Sequence, residues 1–449
     1  MDRKTIMEAF VRQAYEKGVF SGAWLLCEKG IIVTKGAVGF RDVADTLPIQ
    51  EDSIFDIGSV SKQFTATAIL LLRRRGLLSL DDVVTRFFPQ LPYPGVTIRH
   101  LLTHTGGLPD CLAWIVQLAK KENAIPDNGA VLRFLTESGA EPRFAPGEKW
   151  EYCNTGYSLL AEIVKQVSGM PFADFLKENI FEPAGMHSTA LLHRIKDKLT
   201  IQNLAYGLTY EYGRYALPED TKWKGLVVSL DGSEGNGFVK SNLFDLLTWD
   251  KVLRAGTLLT KEEQELMYAP ATLNSGEEAG DGYGLGWGIV EHPALGKMVW
   301  HDGDWPGYLA FYARFLDLDR TLILLRSREG RDARAGGAFV HGMLGIVYDQ
   351  APEPVQLLEE LAVKDPDTSK WDDFCGKYEP DDEGYLIEEV FRKDGALYAA
   401  IFDTESGERF TSQLYPLGEN TFGIREDDED IVFGDGYLTF GGDPCKKLS

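Results

Sequence analysis

Ser59 and Lys62 stand three residues apart within residues 55–62, FDIGSVSK. On a helix, this spacing brings the two side chains to one face. A serine hydroxyl becomes an effective nucleophile when a nearby base takes its proton, and a lysine can be that base where burial lowers its pKa. The apolar run at residues 66–72 indicates a buried helix. The spacing therefore predicts a catalytic pair, although a serine cap followed by a solvent-facing lysine has the same pattern.

Tyr152 and Asn154 form a second polar segment, which lies just before an apolar helix. A phenol can pass a proton to a leaving group, particularly when a lysine cation lowers its pKa. The asparagine amide can hold a substrate carbonyl. We therefore expect a catalytic role for Tyr152 and a substrate-binding role for Asn154.

A third polar segment, with His301, Gly303 and Asp304, ends a predicted strand. A backbone N–H in this segment can join that of Ser59 to form an oxyanion hole. We expect Gly303 and Asp304 to contribute to this hole and His301 to lie near the proton relay. With the first two segments, this pattern predicts acyl transfer through an acyl-enzyme on Ser59.

In this order, the segments resemble the motifs of the serine β-lactamase and penicillin-binding-protein superfamily. The variants Tyr-x-Asn and His-x-Gly resemble its class C-like branch, which includes CubicO-type peptidases, D-aminopeptidases and esterases. The resemblance covers about residues 5–345 and includes residues 101–109, LLTHTGGLP, and 181–186, FEPAGM. It implies a serine hydrolase that needs no metal or organic cofactor.

The elements around these motifs predict an α+β fold. The resemblance implies a β-lactamase/DD-peptidase-like domain over residues 1–347, in which helices flank an antiparallel sheet and form an all-helical subdomain. Prolines at residues 351–354 and at Pro366 predict a linker over residues 348–370. Short strands and tight turns over residues 371–449 predict a small closed antiparallel β-barrel. This last part resembles the lipocalin-like domain of some relatives, and we expect it to cover the cleft or to build a homo-oligomer.

The 449-residue chain has a formal net charge of −23, which disfavours nucleic acid and anionic membranes as partners. No apolar run approaches the roughly 18 residues of a membrane-spanning helix. Residues 1–18 lack the apolar segment of an export signal. Five cysteines without a Cys-x-x-Cys pair favour free thiols in a reducing compartment. We therefore expect a cytoplasmic protein that acts on a small molecule or short peptide.

Two other patterns suggest binding sites that we do not expect. His100 and His104 have the spacing of two zinc ligands on a helix, but Leu101 stands where a zinc protease has glutamate, and no third ligand is evident. We interpret these histidines as a structural pair. The glycine-rich residues 282–286 lead into a strand instead of a helix, which argues against nucleotide binding.

The substrate class depends on two residues that differ from many β-lactam-recognising relatives. His301 replaces a lysine, so the fixed cation that attracts a substrate carboxylate is missing. Asp304 would attract a substrate ammonium if it faces the cleft; alternatively, it caps the turn at residues 305–307. These features favour a peptidase, aminopeptidase or amidase acting on small peptides or amino-acid derivatives. The alternatives are a carboxylesterase or weak β-lactamase, and an acyl-trapping penicillin-binding or structural assembly protein without turnover.

Overall fold

The computed structural model describes residues 2–211, 214–280, 282–379, 385–403, 408–440 and 445–448. The chain divides into two compact units. The larger unit is Gly22–Glu329, and the smaller unit combines Met1–Ser21 with Gly330–Ser449. In the described ranges, no helix has the length and apolar character needed to cross a membrane.

The helices are, in chain order, α1 Arg3–Glu16, α2 Lys62–Arg74, α3 Ile98–Leu102, α4 Leu112–Glu122, α5 Ala130–Glu137, α6 Asn154–Ser168, α7 Phe172–Leu176, α8 Glu182–Ala184, α9 Lys224–Ser229, α10 Leu243–Ala255, α11 Lys261–Met267, α12 Ala333–Val347, α13 Leu358–Leu361 and α14 Trp371–Phe374. A 3₁₀ turn, Gly58–Ser61, leads directly into α2.

The strands of the larger unit are β1 Gly22–Glu28, β2 Ile31–Val38, β3 Phe55–Asp56, β4 Ala190–Leu191, β5 Thr209–Glu211, β6 Arg214–Ala216, β7 Val239–Ser241, β8 Gly288–His292, β9 Gly296–Trp305, β10 Tyr308–Phe315 and β11 Arg320–Arg326. Those of the smaller unit are β12 Gly376–Lys377, β13 Tyr385–Lys393, β14 Ala396–Asp403, β15 Glu408–Pro416, β16 Thr421–Gly423, β17 Asp430–Phe433, β18 Tyr437–Phe440 and β19 Cys445–Lys446.

A six-stranded sheet in the order β2-β1-β11-β10-β9-β8 forms the centre of the larger unit. All its neighbouring strands are antiparallel. Strand β8 pairs with β9 only as far as Trp300. The last residues of β9, 301–305, therefore extend past their neighbour on that side and can approach the turn that carries Ser59.

Helix α2 is the central helix of the larger unit, because every residue from Lys62 to Leu72 is buried. It packs against α6, which in turn contacts α3, α5 and α7. A second small sheet has the order β3-β7-β4, and its strand β3 comes just before the 3₁₀ turn in the chain. The predicted α+β architecture, with an antiparallel sheet, flanking helices and an all-helical part, is confirmed.

The smaller unit contains an eight-stranded antiparallel sheet, in sequential order from β12 to β19. The predicted small β-barrel is present as a half-barrel, a curled sheet with Tyr378 and Lys447 paired in an isolated bridge beside its first and last strands. Its core contains stacked aromatic rings, with the centroids of Phe374 and Phe433 4.4 Å apart. In the same unit, Phe10 of α1 stacks on Phe339 of α12.

A buried ionic network joins α10 to the central sheet. Asp250 is fully buried and accepts hydrogen bonds from Arg314 Nε at 2.8 Å and Thr321 Oγ1 at 2.8 Å. Arg254 Nε, one turn further along α10, donates to its second carboxylate oxygen at 2.5 Å. Because Arg314 is also buried, its charge depends on Asp250 for compensation.

We predict that Asp250→Ala lowers the free energy of unfolding by about 3–5 kcal/mol, because it leaves a buried cation unpaired. The exposed carboxylate of Glu291, which pairs with Lys297, provides the control. Glu291→Ala should cost less than about 1 kcal/mol. Urea unfolding of both variants measures the difference, and equal midpoints for the two would contradict the prediction.

Candidate active site

The segment that carries Ser59 contains a tight backbone turn. Gly58 has φ +49°, a left-handed conformation that favours glycine, and its N–H donates to Asp56 Oδ1 at 2.9 Å. Asp56 also forms a buried ion pair with its cross-strand neighbour Lys240, Nζ to Oδ2 2.8 Å. The ion pair and the turn together fix the position at which Ser59 enters the 3₁₀ turn.

Two glycines allow this turn to approach the end of β9. A Cβ on Gly303 would lie 2.0 Å from the carbonyl oxygen of Ile57 and 2.9 Å from the nitrogen of Ser59. Similarly, a Cβ on Gly58 would lie 3.1 Å from the nitrogen of Asp304. The backbone nitrogens of Ser59 and Asp304 therefore both lie close to the contact between Gly58 and Gly303.

Ser59 Oγ lies between two of the predicted catalytic side chains. Lys62 Nζ donates to it at 2.9 Å, and the hydroxyl of Tyr152 donates to it at 2.8 Å. Both distances are within the range for proton transfer between a nucleophile and its acid–base partners. The structure thus brings together the three side chains that the sequence places in different segments.

Lys62 is fully buried, and its ammonium group has a complete set of hydrogen-bond acceptors. Besides Ser59, it donates to Asn154 Oδ1 at 2.9 Å and to the backbone oxygen of Asn236 at 2.8 Å. The Nζ atom also lies 4.8 Å from the ring centroid of Tyr152. Burial lowers the pKa of Lys62 to about 7, while the negative charges of Asp302 and Asp110 oppose this shift. At neutral pH a large fraction of Lys62 is therefore neutral and able to accept a proton.

Tyr152 is accessible to solvent, since 38% of its surface is exposed. Desolvation by the surrounding protein raises the pKa of its phenol above the usual range, although the hydrogen bond to Ser59 opposes this effect. The sequence predicts that a lysine cation lowers the pKa of Tyr152, and the observed direction of the shift is the opposite. A neutral phenol suits a proton relay better than a permanent phenolate base.

His301 is buried beside Tyr152, with ring centroids 6.3 Å apart. Its Nδ1 lies 2.5 Å from the backbone oxygen of Asp302, so Nδ1 carries the proton, and Nε2 accepts from the hydroxyl of Tyr283 at 2.9 Å. Burial lowers the pKa of His301 to about 4, against the opposing charge of Asp302. The imidazole is therefore neutral, and both of its nitrogens already have partners.

Asp304 lies on the other face of the sheet from His301 and Gly303. It is the cross-strand neighbour of Leu309, which also pairs with Arg326 on the opposite side, so the three residues share one face. Desolvation raises the pKa of Asp304, and the positive charge of Arg326 opposes this rise. The side chain of Asp304 thus lies with Arg326, whereas its backbone nitrogen lies near Ser59.

Sequence patterns do not identify four residues of this site, namely Asp110, Asn236, Tyr283 and Asp302. Asn236 contributes only a backbone oxygen, for which the residue type gives no signal, although the flanking Gly235 and Gly237 suggest close backbone contact. Tyr283 lies in the glycine-rich residues 282–286, whose pattern suggests only nucleotide binding.

His100 and His104 do not act as a pair of metal ligands, because each accepts a backbone N–H through Nδ1. The described residues contain no cluster of three His, Cys, Asp or Glu side chains suited to a metal ion.

Comparison with known proteins gives the family. The beta-lactamase family matches residues 7–341, about three quarters of the chain. The chain belongs to the beta-lactamase family. Penicillin-binding protein 4* of Bacillus subtilis (strain 168) is 34% identical over 435 residues, 96% of this chain and 93% of that protein. The D-aminopeptidase of Brucella canis is 28% identical over 350 residues, 76% of this chain and 62% of that protein.

Solved structures agree with this beta-lactamase family assignment. An octameric penicillin-binding protein homologue from Pyrococcus abyssi has a TM-score of 0.66 and 23% identity, over 99% of both chains. The predicted membership of the serine β-lactamase and penicillin-binding-protein superfamily is confirmed, as is the β-lactamase-like fold with its appended C-terminal domain.

We predict that Lys62→Met slows acylation of Ser59 by about 10²–10⁴-fold, the contribution of a positioned general base. Lys62→Arg should be as slow, because a guanidinium keeps its charge and cannot take the serine proton. A fluorophosphonate probe phosphonylates the hydroxyl of Ser59, and the rate of this labelling measures how strongly Lys62 activates the nucleophile. Lys165→Met, which removes an exposed lysine of α6, is the control and should label normally. Fast labelling of Lys62→Arg would show that another group activates Ser59.

Proposed function

We propose that this protein is a serine hydrolase that cleaves amide or ester bonds of short peptides or amino-acid derivatives through an acyl-enzyme. The observation that carries the proposal is the position of Ser59 Oγ, within 2.9 Å of Lys62 Nζ and 2.8 Å of the Tyr152 hydroxyl. A buried lysine beside a serine, with a phenol on the other side of the hydroxyl, supplies a nucleophile, a base and a proton relay.

In the proposed acylation step, neutral Lys62 takes the hydroxyl proton as Ser59 Oγ bonds to the substrate carbonyl carbon. The carbonyl oxygen becomes an oxyanion, which the backbone N–H groups of Ser59 and Asp304 stabilise. The proton then passes from Lys62 through Tyr152 to the leaving nitrogen or oxygen. The bond to the leaving group breaks, and an ester on Ser59 remains. Asn154, whose Oδ1 is held by Lys62, retains an amide NH₂ for the substrate carbonyl.

Water completes the proposed reaction by the reverse path. Lys62 and Tyr152 take a proton from water, and the resulting hydroxide attacks the ester carbonyl. The tetrahedral intermediate uses the same two backbone donors, and Ser59 regains its proton as the acid product leaves. His301 does not transfer a proton in this scheme, because its two nitrogens are engaged with Asp302 and Tyr283. We assign it the role of supporting Tyr152 and the end of β9.

We further propose that the substrate carries a free ammonium group near the scissile bond. Asp110 and Asp302 are both exposed, and their charges act on Lys62 from two different segments. A carboxylate and an ammonium about 4 Å apart attract each other by roughly 1–4 kcal/mol between bulk water and a protein surface. Neutral His301 supplies no opposing fixed charge. Asp304 is also exposed, but of these three carboxylates only those of Asp110 and Asp302 act on Lys62, so we assign to Asp302 the side-chain role first expected of Asp304.

Three other functions remain as candidates. The 34% identity to a penicillin-binding protein favours a penicillin-binding protein, in which Ser59 would trap an acyl group without turnover. An esterase or weak β-lactamase would use the same Ser59 chemistry on another substrate, whereas a structural assembly protein would use none of it. The cytoplasmic location and the homo-oligomer built through the C-terminal half-barrel also stay predictions.

We predict that Ser59-dependent hydrolysis favours amino-acid anilides with a free N-terminus over their N-acetylated forms by about tenfold or more, the effect of roughly 1.4 kcal/mol. A panel of D- and L-alanine and D- and L-phenylalanine p-nitroanilides, p-nitrophenyl acetate and nitrocefin measures kcat/KM, with Ser59→Ala as the blank. Asp302→Asn should reduce the preference for the free amine, and Glu291→Gln should not.

Each outcome of this panel has one interpretation. Equal cleavage of free and acetylated anilides would refute the ammonium hypothesis. A reduced preference in Asp304→Asn, with none in Asp302→Asn, would return the role to Asp304. A stoichiometric burst with nitrocefin but no anilide turnover would favour acyl trapping, and activity in Ser59→Ala would refute the nucleophile assignment.

A further inference from the structure

His104 belongs to the segment LLTHTGGLP, for which the proposed chemistry has no role. The residue is 2% exposed and lies directly behind Tyr152, with ring centroids 4.4 Å apart. Its ring also contacts those of Tyr157, at 5.1 Å, and Tyr283, at 4.8 Å. It therefore forms the centre of an aromatic cluster on the side of Tyr152 remote from solvent.

Two hydrogen bonds connect His104 to the residues on either side of Tyr152. The N–H of Glu151 donates to the backbone oxygen of His104 at 3.0 Å. The N–H of Cys153 donates to His104 Nδ1 at 3.1 Å. The backbone of Tyr152 is thus held before and after its Cα by the same residue, while the imidazole supports its ring.

Two features of His104, its backbone conformation and an unpaired ring nitrogen, are energetically unfavourable. Its φ is +58°, a left-handed conformation that few residues other than glycine adopt. Because Nδ1 accepts a hydrogen bond, the proton of the neutral ring is on Nε2, and this buried atom has no partner among the described residues. Burial lowers the pKa of His104 well below its usual range, and the charge of Lys62 acts in the same direction, so the ring stays neutral.

We propose that His104 is a positioning residue for Tyr152, which it holds on Ser59 through the hydrogen bond that its Nδ1 accepts from the N–H of Cys153. His104 touches neither the substrate nor Ser59, and acts only by fixing residues 151–153. This inference rests on the proposed relay role of Tyr152. It gives the histidine of the LLTHTGGLP segment an indirect role, because His104 positions the residue that transfers the proton. The interpretation of His100 and His104 as an equivalent structural pair is replaced.

The chain offers a matched set of variants. Asparagine places Oδ1 where histidine places Nδ1 and tolerates a left-handed φ, so His104→Asn retains the acceptor. Leucine has nearly the same shape as asparagine but has no acceptor, so His104→Leu removes it. His100, four residues earlier and within α3, accepts the N–H of Thr97 through Nδ1 at 3.2 Å and so does not bond to residues 151–153 through that atom. His100→Leu therefore controls for the loss of an equivalent hydrogen bond.

We expect His104→Leu to lower kcat by about 10–100-fold, as a small misplacement of a catalytic group does. KM should change by less than about threefold, because substrate contacts are intact. His104→Asn should recover most of kcat, and His100→Leu should retain it. A folded His104→Leu protein with normal kcat, or equal losses in His104→Leu and His104→Asn, would overturn the proposal.

A second readout does not depend on turnover. The Cζ resonance of Tyr152, assigned with Tyr152→Phe in tyrosine-labelled protein, should shift or broaden in His104→Leu but not in His100→Leu. An unchanged resonance would refute the positioning role. If wild-type protein shows no Ser59-dependent hydrolysis while this resonance responds as expected, the proposed function fails and the positioning role stands.

Discussion

Lys62 places an ammonium group in a helix whose residues are all buried from Lys62 to Leu72. A buried charge strongly destabilises a fold unless hydrogen bonds replace its lost hydration. The acceptors here come from three places in the chain: Ser59 at the start of α2, Asn154 at the start of α6 and the backbone oxygen of Asn236 before β7. These segments must therefore converge on one nitrogen atom, and the candidate active site is the point of convergence.

The same constraint extends into the backbone. Gly58, with its left-handed backbone, comes directly before Ser59 and sets its position beside Lys62. The N–H of Gly58 donates to Asp56, which is paired with Lys240 in the neighbouring small sheet. Gly303 permits the end of β9 to contact this turn, because β8 does not pair with that part of the strand. His104 adds the equivalent fixation for Tyr152. The geometry around Ser59 thus depends on closely packed, rigid elements. Such preorganisation is what acyl-transfer chemistry requires.

Much of this arrangement is predictable from the sequence, because local spacing encodes it. The Ser59–Lys62 pair, Tyr152 with Asn154, and the strand end at His301 and Gly303 are each short linear patterns, and the alternating apolar residues identify most strands. The side-chain face of Asp304 depends on the register of β9 with β10 and β11, which no local pattern specifies. The hydrogen bonds of His301 depend on Tyr283, and the backbone acceptor at Asn236 is independent of side-chain type. The pKa of Tyr152 is raised because the surrounding protein desolvates its phenol, and this burial is a property of the folded chain.

The central claim is that burial makes Lys62 a base at neutral pH. Nitrogen-15 NMR of protein labelled at lysine Nζ, with Lys62→Arg to assign the resonance, measures this pKa directly in the free protein. The account predicts that the Lys62 ammonium titrates with a pKa of about 7. A pKa near the ordinary lysine value of about 10.4 would contradict it, because Lys62 would then be fully charged and unable to take the proton of Ser59.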